Sequence, residues 1–172
     1  MRSSIFTTLL LSILCINHTF AQEGEKVTNV KILTVNGDST MLPFFGERNL
    51  ILFYADPSKP NQNLSIRNYL KEHPIVNKNI AIYGVINMAA APMIPQKLII
   101  NRALKEASGN GNQIYVDPKE LISKSWHLTG ANQNFAIIGV SKEGVIDFYK
   151  TGQLSSADQA DMFNVIHKYE NN

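Results

Sequence analysis

The residues of this chain with the clearest chemical potential lie between positions 56 and 61, directly after an apolar run. Asp56, Ser58 and Lys59 bring a carboxylate, a hydroxyl and an amine close together, and Pro60 and Asn61 follow. A serine acts as a nucleophile only when a neighbouring base accepts its proton, and the sequence shows no such base for Ser58. The segment therefore predicts a binding loop more readily than a hydrolytic centre.

A second polar segment, residues 130–134, contains three consecutive amide side chains. Asn132, Gln133 and Asn134 could together hydrogen-bond a peptide or a glycan without contributing charge. Both segments also have simpler interpretations. Three amides are common in an ordinary surface loop, and residues 56–62 could be a capped turn stiffened by its prolines.

The sequence contains no recognisable motif for chemistry that needs a metal or a cofactor. His73, His127 and His167 are scattered and form no recognisable zinc motif. No G-x-S-x-G nucleophile elbow is present, and the glycines at 109–111 lack the strand-before, helix-after setting of a phosphate loop. The sequence therefore predicts no metal and no cofactor.

Composition and charge exclude several classes of protein. The chain has 172 residues, of which 44% are hydrophobic, and this is enough apolar material for one packed core. Its formal net charge of +2 is spread along the chain, so no basic stripe indicates a nucleic-acid partner or a polybasic membrane segment.

The first 21 residues have the pattern of an export signal. Arg2 supplies a positive charge, residues 5–16 are apolar, and Thr19-Phe20-Ala21 places small residues three and one before a cleavage site. We predict cleavage before Gln22, which would leave residues 22–172 as a single domain, exported to the periplasm or the cell exterior. The apolar run is shorter than the roughly 20 residues of a spanning helix, so no membrane insertion is expected after cleavage.

The single cysteine of the chain, Cys15, lies inside this predicted signal. The mature chain would then contain no thiol and no disulfide. Two alternatives remain open for the segment, a buried N-terminal helix and a lipoprotein anchored at Cys15. Leu14 is large at the position before the cysteine, where a lipobox has a small residue.

Short β-prone runs and amphipathic stretches alternate along the remaining chain. Residues 30–35 and 40–42 flank Asn36-Gly37-Asp38, a strong hairpin-turn signal. The continuous apolar run 50–54 is typical of a strand covered on both faces. Strand, helix, strand and helix in succession predict a parallel βαβ arrangement. The further predicted elements are helices at 63–73, from 95 to about 108 and from 155 onwards, a weak helical stretch through 126, and strands at 80–86, 113–116, 135–140 and 145–149.

Two of the predicted helices carry inward-facing stripes, and Trp126 is predicted to be a core or groove-wall aromatic. In the helix after Pro95 the shared face is Ile100, Ala103, Leu104 and Ala107. The last helix is opened by Ser155, with Asp158 three residues on as a capping box. Its inward residues are Met162, Val165, Ile166 and Tyr169.

The order of these elements resembles the thioredoxin-like fold, and three local sequences agree with it. Phe53-Tyr54-Ala55-Asp56 resembles the end of the strand that leads into the redox motif, Lys142-Glu143-Gly144-Val145 the hairpin turn, and residues 150–155 the approach to the last helix. In more detail the chain resembles the YtfJ-type periplasmic proteins of that superfamily. The resemblance implies an α/β domain with a central mixed sheet, flanking helices and an N-terminal β-hairpin extension.

The same resemblance shows what this sequence lacks. On the thioredoxin pattern the CxxC positions fall on Ser58-Lys59-Pro60-Asn61, and a serine hydroxyl cannot replace a thiolate in disulfide exchange. The family places a cis-proline opposite this motif, whereas residues 130–134 contain no proline, so we expect only trans peptides there. Thiol–disulfide and peroxidase activities are therefore not expected.

Three hypotheses follow for the function. The first is a non-redox binding or accessory protein of the bacterial cell envelope, with residues 58–61 and 132–134 as two lips of one groove for a peptide or an envelope protein. The second is an enzyme with non-thiol chemistry at the same groove, using Asp56, Ser58 and Lys59. The third is a structural partner in an envelope complex that makes contact through the apolar stretch 88–95.

Overall fold

A seven-stranded mixed sheet forms the centre of the structure, a computed structural model that describes residues 22–108 and 113–172. The spatial order of the strands is β2-β1-β5-β4-β3-β6-β7. The predicted signal peptide with Cys15, and the glycines at 109–111, lie outside the described residues. The strands are β1 (Lys31–Thr34), β2 (Ser39–Met41), β3 (Asn49–Ala55), β4 (Ile80–Asn87), β5 (Ile114–Asp117), β6 (Ala136–Val140) and β7 (Ile146–Thr151). The helices are α1 (Leu64–Glu72), α2 (Gln96–Ser108), α3 (Leu121–Ser125) and α4 (Ser156–Glu170), with a 3₁₀ turn at Met88–Ala90.

The pairing of the strands confirms the predicted topology. β3 and β4 run parallel, with Leu50 opposite Ala81, and β5 continues the parallel set beyond β4. β6 is antiparallel to both β3 and β7. The N-terminal hairpin of β1 and β2 joins the sheet through an antiparallel pairing of β1 with β5. Gly37 has a φ of 91°, which explains why a glycine stands in the hairpin turn.

The two faces of the sheet are packed differently. On one face Leu50, Leu52 and Tyr54 pack with Ile122 and Trp126 under the short helix α3. The Trp126 indole is fully buried and donates a hydrogen bond to the Thr28 carbonyl at 2.9 Å, so this tryptophan is a core residue. The opposite face of the sheet carries α1, α2 and α4.

Helix α4 confirms the predicted capping box. The Ser155 hydroxyl accepts a hydrogen bond from the Asp158 backbone N–H, and the Asp158 carboxylate accepts one from the Ser155 backbone N–H. The hydrogen bonds from Ser155, with help from the charge of Lys150, lower the pKa of Asp158 below its usual value. Met162, Ile166 and Tyr169 are buried and Val165 is half-buried, as predicted.

Helix α2 differs from the prediction in its rotation. Ile99 and Ala103 are buried, whereas Leu104, predicted to face inward, is 44% exposed. Ile99 packs with Met88 and Val116 beside β5, and this contact orients the helix. The covered stripe of the helix is therefore narrower than its periodicity suggests. Among residues 22–108 and 113–172, no helix combines the length and the apolar character needed to cross a bilayer.

Candidate ligand-binding site

The predicted binding loop leaves the carboxyl end of β3 and is folded around Asp56. The side chain of Asp56 is 3% exposed, and its Oδ1 accepts hydrogen bonds from the Ser58 backbone N–H at 2.8 Å and the Ser58 hydroxyl at 2.7 Å. The Lys59 N–H donates to the Asp56 carbonyl at 3.0 Å and closes the turn. Sequence reasoning found no acceptor for Ser58, and the structure supplies one through a local Asx-type turn.

The far end of this loop is anchored to the segment between β7 and α4. Asn63 is fully buried with a φ of 56°, and its amide donates to the Gly152 carbonyl at 2.7 Å and accepts from the Leu154 N–H at 2.9 Å. The turn is therefore rigid, but the Asn63 side chain makes no capping hydrogen bond to the first turn of α1. Ser58, Lys59, Pro60 and Asn61 all remain exposed.

The two predicted lips do lie next to each other, and Gln62 fills the space between them. Its amide donates to the Asn134 side-chain oxygen at 3.3 Å and accepts from the Phe135 backbone N–H at 2.8 Å. Gln62 was not among the predicted site residues, since nothing in its sequence context separates it from an exposed loop amide. Gln133 is exposed and Asn134 is half-buried.

The structure does not bring Asn132 to this groove. Its side-chain oxygen accepts hydrogen bonds from Asn87 at 3.0 Å and from the Ser123 hydroxyl at 2.6 Å. Its amide nitrogen donates to the Glu120 carboxylate at 2.9 Å. Asn87 and Ser123 are buried, so Asn132 belongs to a polar network beneath the loop. Every peptide bond of the described residues is trans, including those of the 130–134 loop, as expected.

A neighbouring buried carboxylate, Asp117, also has a structural role. It accepts hydrogen bonds from the Leu121 and Ile122 N–H groups at 2.8 and 2.9 Å and from the Tyr54 hydroxyl at 3.1 Å. Burial, followed by the charge of Asp117, raises the pKa of Tyr54 well above its usual range. These contacts fix α3 to the carboxyl ends of β3 and β5.

A cavity of about 600 Å³ lies between α1 and α2 at this end of β3. Its floor is the sheet face that carries α1, α2 and α4, where Ile82, Gly84 and Ile86 alternate with the buried residues of β4. The 56–62 loop closes one end. The remaining apolar lining includes Phe53, Ala55, Pro57, Pro60, Leu64, Ile99, Ala103, Ile114 and Phe135. Sequence reasoning missed this cavity, and the only signal for it was a glycine in the middle of an apolar strand.

Arg67 lies where α1, α2 and the 56–62 loop meet. Its guanidinium forms an ion pair with Glu106 of α2 at 2.8 Å and donates a hydrogen bond to the Pro60 carbonyl. It also stands over the Phe135 ring, 5.5 Å from the ring centroid. The Nε atom of Arg67 is buried and has no hydrogen-bond partner among the described residues.

The charges around the cavity are unbalanced. Four cationic and two acidic side chains line it. Glu106 is paired with Arg67, and the Asp56 carboxylate is bound within its own turn. Lys59, Lys71 and Arg102 form no ion pair within residues 22–108 and 113–172. The cavity therefore combines an apolar floor with a cationic rim.

The histidines have local contacts away from one another. His73 stacks on Tyr69 with ring centroids 4.5 Å apart, and His167 contacts Glu170 at 2.9 Å. His127 is exposed, and its φ is 51°. Within the described part of the chain, no group of three or more histidine, cysteine or acidic side chains is placed to hold a metal ion.

The apolar stretch 88–95 is largely packed against the protein. Met88 and Ala91 are buried, at 7% and 5% exposed, whereas Pro92, Met93 and Pro95 are exposed, Met93 at 92%. The stretch is therefore mainly the lead-in to α2.

No protein-family model matches the sequence, and no curated protein matches it significantly. Solved structures match over most of the chain. A thiol-disulfide oxidoreductase from Bacteroides fragilis has a TM-score of 0.59 at 15% identity, covering 83% of this chain and 99% of its own. StoA from Bacillus subtilis has a TM-score of 0.55 at 16% identity, covering 80% of this chain and 96% of its own. The exposed lipoprotein thioredoxin of Streptococcus pneumoniae has a TM-score of 0.56 at 11% identity, covering 81% and 99%.

This chain has the thioredoxin-like fold. The predicted fold class is thereby confirmed, with the mixed sheet and flanking helices as expected. The sequence contains one cysteine, at position 15, so a pair of cysteines in a CxxC motif is absent. The thioredoxin-like domain instead presents a rigid turn and an open cavity beside the end of β3.

Proposed function

We propose that this chain is a non-redox binding protein of the bacterial cell envelope, of the YtfJ type, which holds its ligand in the cavity between α1 and α2. The cavity itself is the observation that carries the proposal. Its volume of about 600 Å³ falls within the range of roughly 300–1,000 Å³ that is usual for small-molecule sites. A mainly apolar lining with a few polar groups at one end is also typical of such sites.

The chemistry of the 56–62 loop supports the non-redox part of this proposal. Thiol exchange needs a thiolate nucleophile and a second thiol to resolve the mixed disulfide. Ser58 and Asn61 stand at the positions that the thioredoxin resemblance gives to the two cysteines. The Ser58 hydroxyl is used to hold the turn, so the loop serves as a wall of the site.

A non-thiol enzyme is the second candidate, and the 2.7 Å contact of Ser58 with Asp56 is the observation in its favour. The same carboxylate oxygen also accepts the Ser58 backbone N–H, which is the pattern of a local turn. No histidine of the described residues hydrogen-bonds to either side chain, so no acid–base relay extends from Ser58. The geometry therefore supports binding better than catalysis.

The structural-partner hypothesis, which relies on residues 88–95, has less support. A docking surface normally needs a contiguous apolar patch, whereas single exposed hydrophobic side chains are common on protein surfaces. In this stretch Pro92, Met93 and Pro95 are exposed, and Met93 is the one large apolar side chain among them.

A direct test is native mass spectrometry of the protein expressed from the full sequence and isolated from the envelope fraction. We expect a noncovalent small molecule on the wild type and its loss in Gly84→Val, whose side chain would project into the cavity. The control is Ser39→Val, an exposed strand position in β2 that does not line the cavity. The same mass carried equally by all three proteins, or no bound species together with failure to bind any apolar probe, would contradict the proposal.

A further inference from the structure

We propose that the ligand of this cavity is a free, single-chain anionic amphiphile, of the class of fatty carboxylates. This inference rests on the proposed binding function and names its ligand class. The acyl chain would lie along the apolar floor of β4, and the carboxylate would lie at the cationic rim.

The charges of the rim are the first argument. Lys59, Lys71 and Arg102 come from the loop, α1 and α2, and they form no ion pair among the described residues. Both acidic side chains of the lining are already engaged, Glu106 by Arg67 and Asp56 by its own turn. A cleft of one sign with low-dielectric walls attracts the opposite charge, so this rim favours an anionic head group.

The orphaned donor of Arg67 is the second argument. Its Nε is buried and has no acceptor in the described part of the chain, although its two terminal nitrogens are used. A buried donor on a charged group is costly to leave without a partner. Arg67 lines the cavity, but its Nε is not open to solvent in the present rotamer, so a carboxylate bound there would gain this hydrogen bond only if the guanidinium rotated towards it.

Gly84 is the third argument, because it shapes the floor. A Cβ at this position would have only ordinary contacts, 3.8 Å from an Ile114 side-chain carbon and 3.9 Å from the Phe53 carbonyl oxygen. Its backbone needs no glycine conformation either, since its φ is not in the left-handed region. A glycine inside a strand often marks the close approach of a ligand, and here it keeps the middle of the floor open for a chain.

The test is titration calorimetry on the protein expressed from its full sequence. Each amphiphile is kept below its critical micelle concentration. The probes are octanoate, decanoate and dodecanoate, together with decanol and decyltrimethylammonium. We expect affinity to rise about fourfold for each added methylene until the cavity is full. We also expect decanoate to bind at least tenfold more tightly than decyltrimethylammonium.

Matched variants locate the head group. Lys71→Gln and Arg102→Gln should each weaken decanoate binding by up to about fivefold at low ionic strength, with a smaller effect in high salt. Lys97→Gln is the control, because Lys97 is on α2, is exposed and does not line the cavity. It removes the same charge and should leave the affinity unchanged.

The outcomes separate this inference from the proposed function. If amphiphiles with all three head groups bind equally and Gly84→Val abolishes their binding, the cavity binds ligand but the anionic preference is wrong. If no amphiphile binds and no ligand is found in the protein isolated from the envelope, both proposals are wrong. Phosphatidylglycerol vesicles distinguish a free amphiphile from a membrane-held one, and tight binding to vesicles without binding of decanoate would overturn the free single-chain class.

Discussion

Two glycines, in the strands on either side of β3, give a sharp test of the cavity. Gly84 in β4 faces the cavity, and a Cβ there would have its nearest contact at 3.8 Å. Gly139 in β6 faces packed protein, and a Cβ there would lie 3.1 Å from the Phe148 Cβ and 3.4 Å from a Val165 methyl. The same substitution, glycine to alanine, should therefore have opposite effects at the two sites.

The expected magnitudes follow from these contacts. At Gly84 the alanine reduces the freedom of the unfolded chain without a clash, so Gly84→Ala should raise the free energy of unfolding by about 0.5–1 kcal/mol. At Gly139 the added methyl overpacks a filled core, so Gly139→Ala should lower it by about 1–3 kcal/mol. For a domain of this size, each kcal/mol shifts Tm by about 2–4 °C.

Urea unfolding followed by tryptophan fluorescence measures both effects. Trp126 is fully buried, so its emission reports loss of the core. The slopes of the transitions should remain equal, so that changes in midpoint report stability alone. Destabilisation of Gly84→Ala by more than 1 kcal/mol, or a neutral Gly139→Ala, would refute the packing on which the cavity rests.

Three further predictions concern the last helix, the loop and the N-terminus. Ser155→Ala should lower the free energy of unfolding by about 1 kcal/mol at neutral pH. The lowered pKa of Asp158 contributes stability at neutral pH that is lost as pH falls through its folded-state value, so urea midpoints of the variant should depend less on pH at the acid end. The double variant Ser58→Cys with Asn61→Cys should form an intramolecular disulfide, seen by intact-mass measurement as the loss of two hydrogen atoms. It should nevertheless remain a poor insulin reductase. Free thiols after oxidation would contradict the register. Intact-mass measurement of the exported protein should give Gln22 as the first residue, and a lipidated species beginning at Cys15 would contradict the signal-peptide prediction.

The order and type of the elements could be predicted because local signals and tertiary packing agree. The apolar run at β3, the turn at Gly37 and the capping box at Ser155 each form as their sequences predict. These features depend on residues near one another in the chain. They therefore carry most of their information locally.

The rotation of α2 and the contacts of the two loops could not be predicted in this way. Leu104 has helical spacing with buried neighbours, but only packing beside β5 decides which part of the stripe is covered. Asn132 is indistinguishable in sequence from Asn134. Its contact with Asn87 joins residues 45 positions apart, and the bridge from Gln62 to Phe135 joins residues 73 positions apart.

The cavity itself depends on the separation of two helices, which no sequence periodicity encodes. Its floor residues Ile82 and Ile86 have the same pattern as those of a fully covered strand. The ion pair of Arg67 with Glu106 links positions far apart in the chain. Gly84, a glycine among apolar residues, was the one sign of the cavity in the sequence. It can be interpreted only when the strands on both sides of β4 are known.

The most direct test of ligand binding in this cavity is chemical-shift mapping by two-dimensional NMR, with decanoate and decanol as probes. We predict shifts for amides of β4 around Gly84, of α1 around Arg67 and of α2 around Ala103, and their loss in Gly84→Val. The amides around Trp126, on the opposite face of the sheet, should remain unchanged. Shifts confined to that opposite face or to the loop around Met93, or no shifts with either probe, would contradict the account.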